Sequence, residues 1–162
     1  MKKKVKEKED LCEILKRLKA EGKRVVFTNG CFDLLHIGHL RYLEKAKTLG
    51  DILVVGVNSD ASVQGLKGPG RPVLPLEERM ELLSGLECVD YVVSFDESAP
   101  LKLITVLKPH LLVKGGDWST ETIVGKEVVE SLGGEVVALP FIEGNSTSHL
   151  IETILERYAN RT

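Results

Sequence analysis

Five short apolar runs, at 24–29, 52–58, 91–95, 110–114 and 135–139, recur along this chain and alternate with stretches of helical periodicity. That alternation constrains the fold more than any single residue does. Strands separated by helices predict βαβ units and a parallel sheet. The helical stretches lie at 6–21, 38–49, 76–86, 101–107, 123–132 and 147–158. The first carries Leu11, Ile14, Leu15 and Leu18 on one face and stops at Gly22. A glycine- and proline-rich loop is expected at 65–75. The expected architecture is a Rossmann-like α/β fold: an open parallel five-stranded sheet with helices on both faces. It forms one domain over 1–162, with 1–22 as an N-terminal helical extension.

A length of 162 residues suits a single core, and 43% hydrophobic residues is ordinary for a soluble globular chain. Lys+Arg 22 against Asp+Glu 24 gives a net charge of −2, so no global basic surface recruits nucleic acid. The longest apolar runs fall far short of a membrane span. Met1-Lys2-Lys3-Lys4 is followed by Glu7-Lys8-Glu9-Asp10 rather than by an apolar signal core, so a cytoplasmic location is expected. Cys12, Cys31 and Cys88 lack CxxC spacing and read as reduced thiols.

The chemistry concentrates in Gly30-Cys31-Phe32-Asp33-Leu34-Leu35-His36-Ile37-Gly38-His39, which leads from the first strand into a helix. Residues three apart share a helical face, so His36 and His39 can converge on one group at the helix N-terminus. That end offers free amides and a partial positive potential, and its natural guest is a phosphate. Gly38 between them leaves the backbone open to a ligand. Two plainer readings compete: histidines that merely cap the turn, or a metal site completed by Asp33 or Cys31. The metal reading lacks a second ligand cluster. In open parallel sheets ligands bind beyond the C-terminal ends of the strands. The histidine motif, the 65–75 loop, Lys114-Gly115-Gly116-Asp117 and Gly144-Asn145-Ser146-Thr147-Ser148 all fall at that edge.

His36-Ile37-Gly38-His39 resembles the HxGH signature of the nucleotidyltransferase superfamily, and its ten-residue context resembles the cytidylyltransferase-like branch. The resemblance implies that Asn29, Gly30, Phe32, Gly38, Arg79 and the GxST-type segment Gly144, Asn145, Ser146 and Thr147 bind the nucleotide. It implies that His36, His39 and Lys67 are catalytic. Lys67 would sit on a mobile flap and meet the triphosphate, with Arg71 as a weaker candidate there. Asp33, Lys114, Gly115 and Asp117 would serve the second substrate, Asp33 by orienting the site or acting through water on magnesium. Segments at 86–93, 111–118 and 133–137 resemble the heptose 1-phosphate adenylyltransferases of this superfamily. The implied reaction transfers AMP from ATP to the sugar 1-phosphate, giving ADP-heptose and pyrophosphate for lipopolysaccharide core synthesis. Mg²⁺ would arrive with ATP, with no dedicated metal ligands. Neither nucleic acid nor membrane is an expected partner. A separate heptose kinase would supply the substrate, and relatives of this kind are typically homodimers. A glycerol-3-phosphate cytidylyltransferase shares both signatures, and a non-catalytic nucleotide sensor could use the same scaffold. Residue physics alone does not choose adenine over cytosine.

Overall fold

The structure is a computed structural model that describes residues 2–116, 120–140, 144–159 and 161. Five strands, β1 (Val25–Gly30), β2 (Ile52–Asn58), β3 (Tyr91–Phe95), β4 (Leu111–Gly115) and β5 (Glu135–Leu139), form one sheet. The order is β3-β2-β1-β4-β5 and every pairing is parallel. After β3 the chain crosses to the far side of β1, so its direction of winding reverses between β1 and β4. A crevice opens at such a reversal, beyond the carboxyl ends of the strands.

Alternate side chains of each strand feed two cores. Val26, Leu53, Val55, Val57, Leu111 and Val113 pack into one, with Leu43 and Ala46 of α2 (Ile37–Lys47) and Met80 and Leu83 of α4 (Leu76–Ser84). Val25, Phe27, Val54, Val93 and Leu112 point the other way. They meet Leu11 and Leu15 of α1 (Lys8–Ala20) together with α5 (Leu101–Leu107) and α6 (Lys126–Ser131). The segment expected as an extension thus supplies one layer of the second core. Just before it, Val5 makes a parallel bridge to Val92 and continues the sheet past β3. No helix among the described residues is long and apolar enough to cross a membrane.

Two elements differ from the sequence expectation. Residues 60–67 form a helix, α3 (Asp60–Lys67), where a loop was expected from Gly65 onward. Ser59 caps it by accepting the Ser62 amide at 3.3 Å, and Asn58 and the Glu97 carbonyl bind the Ser62 hydroxyl at 2.9 Å. One interior glycine costs only about 1 kcal/mol and does not break so well-fixed a turn. The expected 123–132 helix begins only at Lys126, after a 3₁₀ turn at Thr120–Thr122. Gly125 separates the two with φ 94°, and a Cβ there would meet Ile104 Cδ1 at 2.7 Å. The last helix, α7 (Thr147–Tyr158), lies close to its expected bounds.

His110, at the amino edge of the sheet, accepts the Val25 amide through Nδ1 at 2.9 Å and fixes the start of β1 against β4. His110→Ala leaves that amide unpaired and should cost about 1–3 kcal/mol. A thermal melt should show it as a drop of several degrees, with activity at low temperature unchanged because the crevice lies at the opposite edge.

Candidate active site

The β1–α2 connection places His36 as the N-cap of α2, with its Nδ1 accepting the His39 amide at 3.4 Å. An accepting Nδ1 leaves Nε2 as the nitrogen that carries the proton. One turn on, the His39 ring stacks on His36 with centroids 3.8 Å apart and planes inclined by 24°. Phe32 lies at 5.3 Å on the same ring. Burial lowers the His36 pKa, and burial plus the neighbouring imidazole brings His39 down to about 4. Both rings are therefore neutral donors near pH 7. The buried His39 Nδ1 has no partner in the described structure, a cost of about 1–3 kcal/mol held inside the site.

Gly38 permits this arrangement. A Cβ there would lie 2.9 Å from the His36 ring and 3.0 Å from Asn145 Cβ. The latter contact brings in α7, whose N-cap Ser146 accepts the His149 amide at 3.0 Å. Thr147 Oγ1 donates to the Leu34 carbonyl at 3.2 Å. Two helix N-termini, of α2 and α7, are thereby docked side by side. Beneath them Tyr42 shares a 2.6 Å hydrogen bond with Thr28 and donates to the Val113 carbonyl at 3.3 Å. Burial pushes its phenol up to about 12, so the group stays protonated.

These groups line a cavity of roughly 640 Å³ at the crevice. Asn29, Gly30, Phe32, Asp33, His36, Gly38, His39, Lys67, Lys114, Gly115, Asn145, Ser146 and Thr147 all reach it. Lys114 Nζ donates to Asn29 Oδ1 at 3.4 Å, across the β1–β4 gap, and burial lowers its pKa. Three cations, Lys67, Arg71 and Lys114, share the described walls with one carboxylate, Asp33. The balance favours an anionic guest. Among the described residues no group of three or more His, Cys, Asp or Glu side chains is placed to hold a metal ion. Asp117 lies outside the described residues, and Gly144 is described but not among the lining residues.

Two expectations are corrected. Arg79 does not face the cavity: it is fully buried and donates to the Leu74, Cys31 and Asn58 carbonyls and to Asp60 Oδ1, at 2.6–3.0 Å. Three segments of the rim need one multivalent donor, and only a guanidinium supplies it. Nor is the 65–75 segment a loose flap. Lys67 ends α3, while Asp33 holds Arg71 Nε at 2.7 Å and the Val73 and Leu74 amides at 2.9 Å. With those bonds made, Asp33 has little left for magnesium or its water. Cys31, which the motif contains, also lines the cavity; so do Asn58, Ser98, Ala99, Pro100 and Ile123, which carry no motif and which only their places in the chain after strands could have flagged.

Strand order, paired helix N-termini and a cationic cavity define an α/β protein built to bind nucleotide phosphates. The chain belongs to the cytidylyltransferase-like family, whose profile matches residues 27–151, and so to enzymes of the nucleotidyltransferase type. It is 56% identical over 156 residues to "Bifunctional protein HldE" of Pelobacter propionicus, covering 96% of this chain and 32% of that protein. The protein of the same name from Geobacter sulfurreducens is 56% identical over 155 residues, again with 96% and 32% covered. This chain thus spans about a third of the length of these relatives. A crystal structure described as the lipopolysaccharide core biosynthesis protein from Thermoplasma volcanium GSS1 aligns with TM-score 0.62 and 31% identity, covering 76% of this chain and all of that one. Pantoate-beta-alanine ligase from Francisella tularensis shares the fold at TM-score 0.60 and 17% identity, over 89% and 68% of the two chains.

Gly38→Ala should push the His36 ring and Asn145 apart and cut turnover at least about tenfold, since sub-ångström misplacement is costly at a reacting centre. An unchanged rate would refute the close packing of α2 on α7. A second expectation concerns pH. His39 titrates near 4 when folded and 6.5 when unfolded, so between those values the unfolded chain binds more protons and stability falls as pH falls. The loss amounts to about 2–3 kcal/mol at the acid end. Melting curves from pH 8 to 4 should show a flat limb above about 7 and a falling one below. In His39→Gln the acid limb should be shallower.

Proposed function

We propose that this chain is an adenylyltransferase that joins AMP from ATP to D-glycero-β-D-manno-heptose 1-phosphate, releasing pyrophosphate and ADP-heptose. The observation that carries the reading is the stacked, neutral His36–His39 pair between two helix N-termini. The relatives named HldE and the lipopolysaccharide-core neighbour direct it toward this acceptor.

The nucleophile is already a phosphate anion, so no covalent enzyme intermediate and no strong base are required. The sugar phosphate oxygen forms a bond to the α-phosphorus as the bond to pyrophosphate breaks. Negative charge builds on the α-phosphoryl oxygens, and donors aimed at them lower the barrier. The Nε2–H groups of His36 and His39 fit that role. Amides of the first turns of α2 and α7, Thr147's among them, and the Ser146 hydroxyl, whose own proton is free while it accepts the His149 amide, fit the remaining nucleotide phosphates. Lys67 and Lys114 supply charge from opposite walls. Mg²⁺ enters as part of the substrate, held by its phosphates and water.

With purified protein, ATP and heptose 1-phosphate should yield ADP-heptose, and ATP should outperform CTP at least about tenfold in kcat/KM. Production of CDP-glycerol from CTP and glycerol 3-phosphate would replace this reading with the cytidylyltransferase one. His36→Ala and His39→Ala should each lower kcat by about 10²–10³ while weakening ATP binding far less. Near-normal turnover in both would remove the histidines from the chemistry.

A further inference from the structure

Arg71 is a cavity residue that the chemistry above leaves unused. Its side chain is only 16% exposed, and its Nε donates to Asp33 Oδ2 at 2.7 Å. The Asp33 side chain is fully buried and also accepts the Val73 and Leu74 amides. Burial would raise that carboxyl, but the Leu74 and Val73 amides and the Arg71 guanidinium hold it below the ordinary carboxylate value. The ion pair is thus fixed from behind, on the Nε edge alone. Among the described residues the two terminal nitrogens of Arg71 have no hydrogen-bond partner, and neither is a sealed, unpaired atom. The guanidinium lies close enough to Cys31, another cavity residue, for its charge to act on the thiol.

A guanidinium gripped by one edge presents two parallel N–H groups on the other, the geometry that recognises a phosphate bidentately. Asp33 offsets much of the charge, so the pair selects by direction more than by net attraction. The cavity is lined by two separate sets of residues. His36 and His39 pack with the α7 cap, through Gly38 against Asn145 and Thr147 against the Leu34 carbonyl, whereas Lys67 and Arg71 belong to the connection between β2 and β3 and Asn58 ends β2. Nucleotidyl transfer must hold two phosphate groups facing each other, and the first set serves the nucleotide.

We propose that Arg71 is the phosphate ligand of the acceptor, gripping the sugar 1-phosphate nucleophile, and that Asp33 is the positioning residue that aims it. This rests on the transfer reaction proposed above. A small acceptor has few other handles, and a rigid fork fixes its attacking oxygen for in-line displacement.

The test uses the full chain, with initial rates at varied acceptor and saturating ATP, and calorimetric titration with α,β-methylene-ATP. Arg71→Gln should raise the acceptor KM about 10- to 100-fold, the loss expected for a charge-assisted pair of hydrogen bonds. The affinity for the ATP analogue should change less than about threefold. Arg71→Lys is the decisive variant, because it keeps a cation beside Asp33 and so keeps the loop. A merely structural arginine predicts a normal acceptor KM there, whereas the proposal predicts a rise of at least about tenfold. Asp33→Asn should raise the acceptor KM in the same direction, with a smaller effect on kcat. An unchanged acceptor KM in Arg71→Lys overturns the proposal, and so does a parallel loss of ATP-analogue affinity, which would assign Arg71 to the nucleotide. The two readings fail separately. If the wild type turns over a different phosphorylated acceptor, only the heptose reading falls, and the same KM split measured with that acceptor still supports Arg71.

Discussion

A guanidinium sealed inside the protein holds the rim of this cavity together. Arg79 donates to the carbonyl of Cys31 in the β1–α2 turn, of Asn58 at the end of β2, and of Leu74 before α4, and it pairs with Asp60 at the start of α3. Each of these segments either lines the crevice or carries a residue that does. The planar guanidinium offers its N–H donors in a fixed fork, so one side chain holds all of these acceptors in register. Removing it would leave the Leu74, Cys31 and Asn58 carbonyls without this donor, a cost of about 1–3 kcal/mol for each that stays buried, while the half-exposed Asp60 would return to water. This edge of the sheet is thus tied by one fully buried side chain that is not among the residues lining the cavity.

The histidine pair works on a different principle. Two imidazolium ions stacked at 3.8 Å would repel, and burial already disfavours either charge. In the proposed reaction both rings stay neutral and contribute direction rather than field, while the cavity lysines and the helix N-termini contribute field. Separating the two tasks suits the proposed reaction between two anions. Too much fixed charge would hold the substrates tightly before the reaction, while aimed neutral donors strengthen most as charge develops on the phosphoryl oxygens.

Much of this was legible in the residues. Helical spacing placed His36 and His39 on one face, and the alternation of apolar runs and helices foretold a five-stranded parallel sheet. The hydroxyl-rich start of α7 was readable as a cap or a phosphate grip, and it sits at the cavity. What could not be read is which partner a charged side chain finds. Arg79 lies in Glu77-Glu78-Arg79-Met80-Glu81, and a charged helix start looks the same whether its arginine meets a phosphate or three carbonyls. Asp33 is equally mute: a carboxylate beside a histidine motif suggests magnesium, and only the folded loop reveals Arg71 and two amides as its partners. Gly65 suggested a break that the Ser59 cap and the Ser62 hydrogen bonds override. Ser98, Ala99 and Pro100 carry no chemical signature, and their place at the cavity follows from strand order alone.

The same bonds determine how the rim can move. Leu74 is held at both backbone groups, its amide by Asp33 and its carbonyl by Arg79. Moving the whole 65–75 segment would break both anchors, together with the Arg71–Asp33 ion pair, and expose a buried carboxylate. Between Lys67 and Gly70 the ties are lighter: the Gly68 amide to the Gln64 carbonyl and the Arg71 amide to the Gly68 carbonyl. Each is an ordinary backbone bond at the surface, worth about 1 kcal/mol. A shift that carries Lys67 toward a bound anion is therefore far cheaper as an adjustment of the end of α3 than as the swing of a loop. The arginine one turn further along stays where Asp33 has set it. One wall of the cavity is thus adjustable at its lysine and rigid at its arginine, a division that suits the proposed order in which Arg71 aligns the acceptor while Lys67 adjusts to the nucleotide.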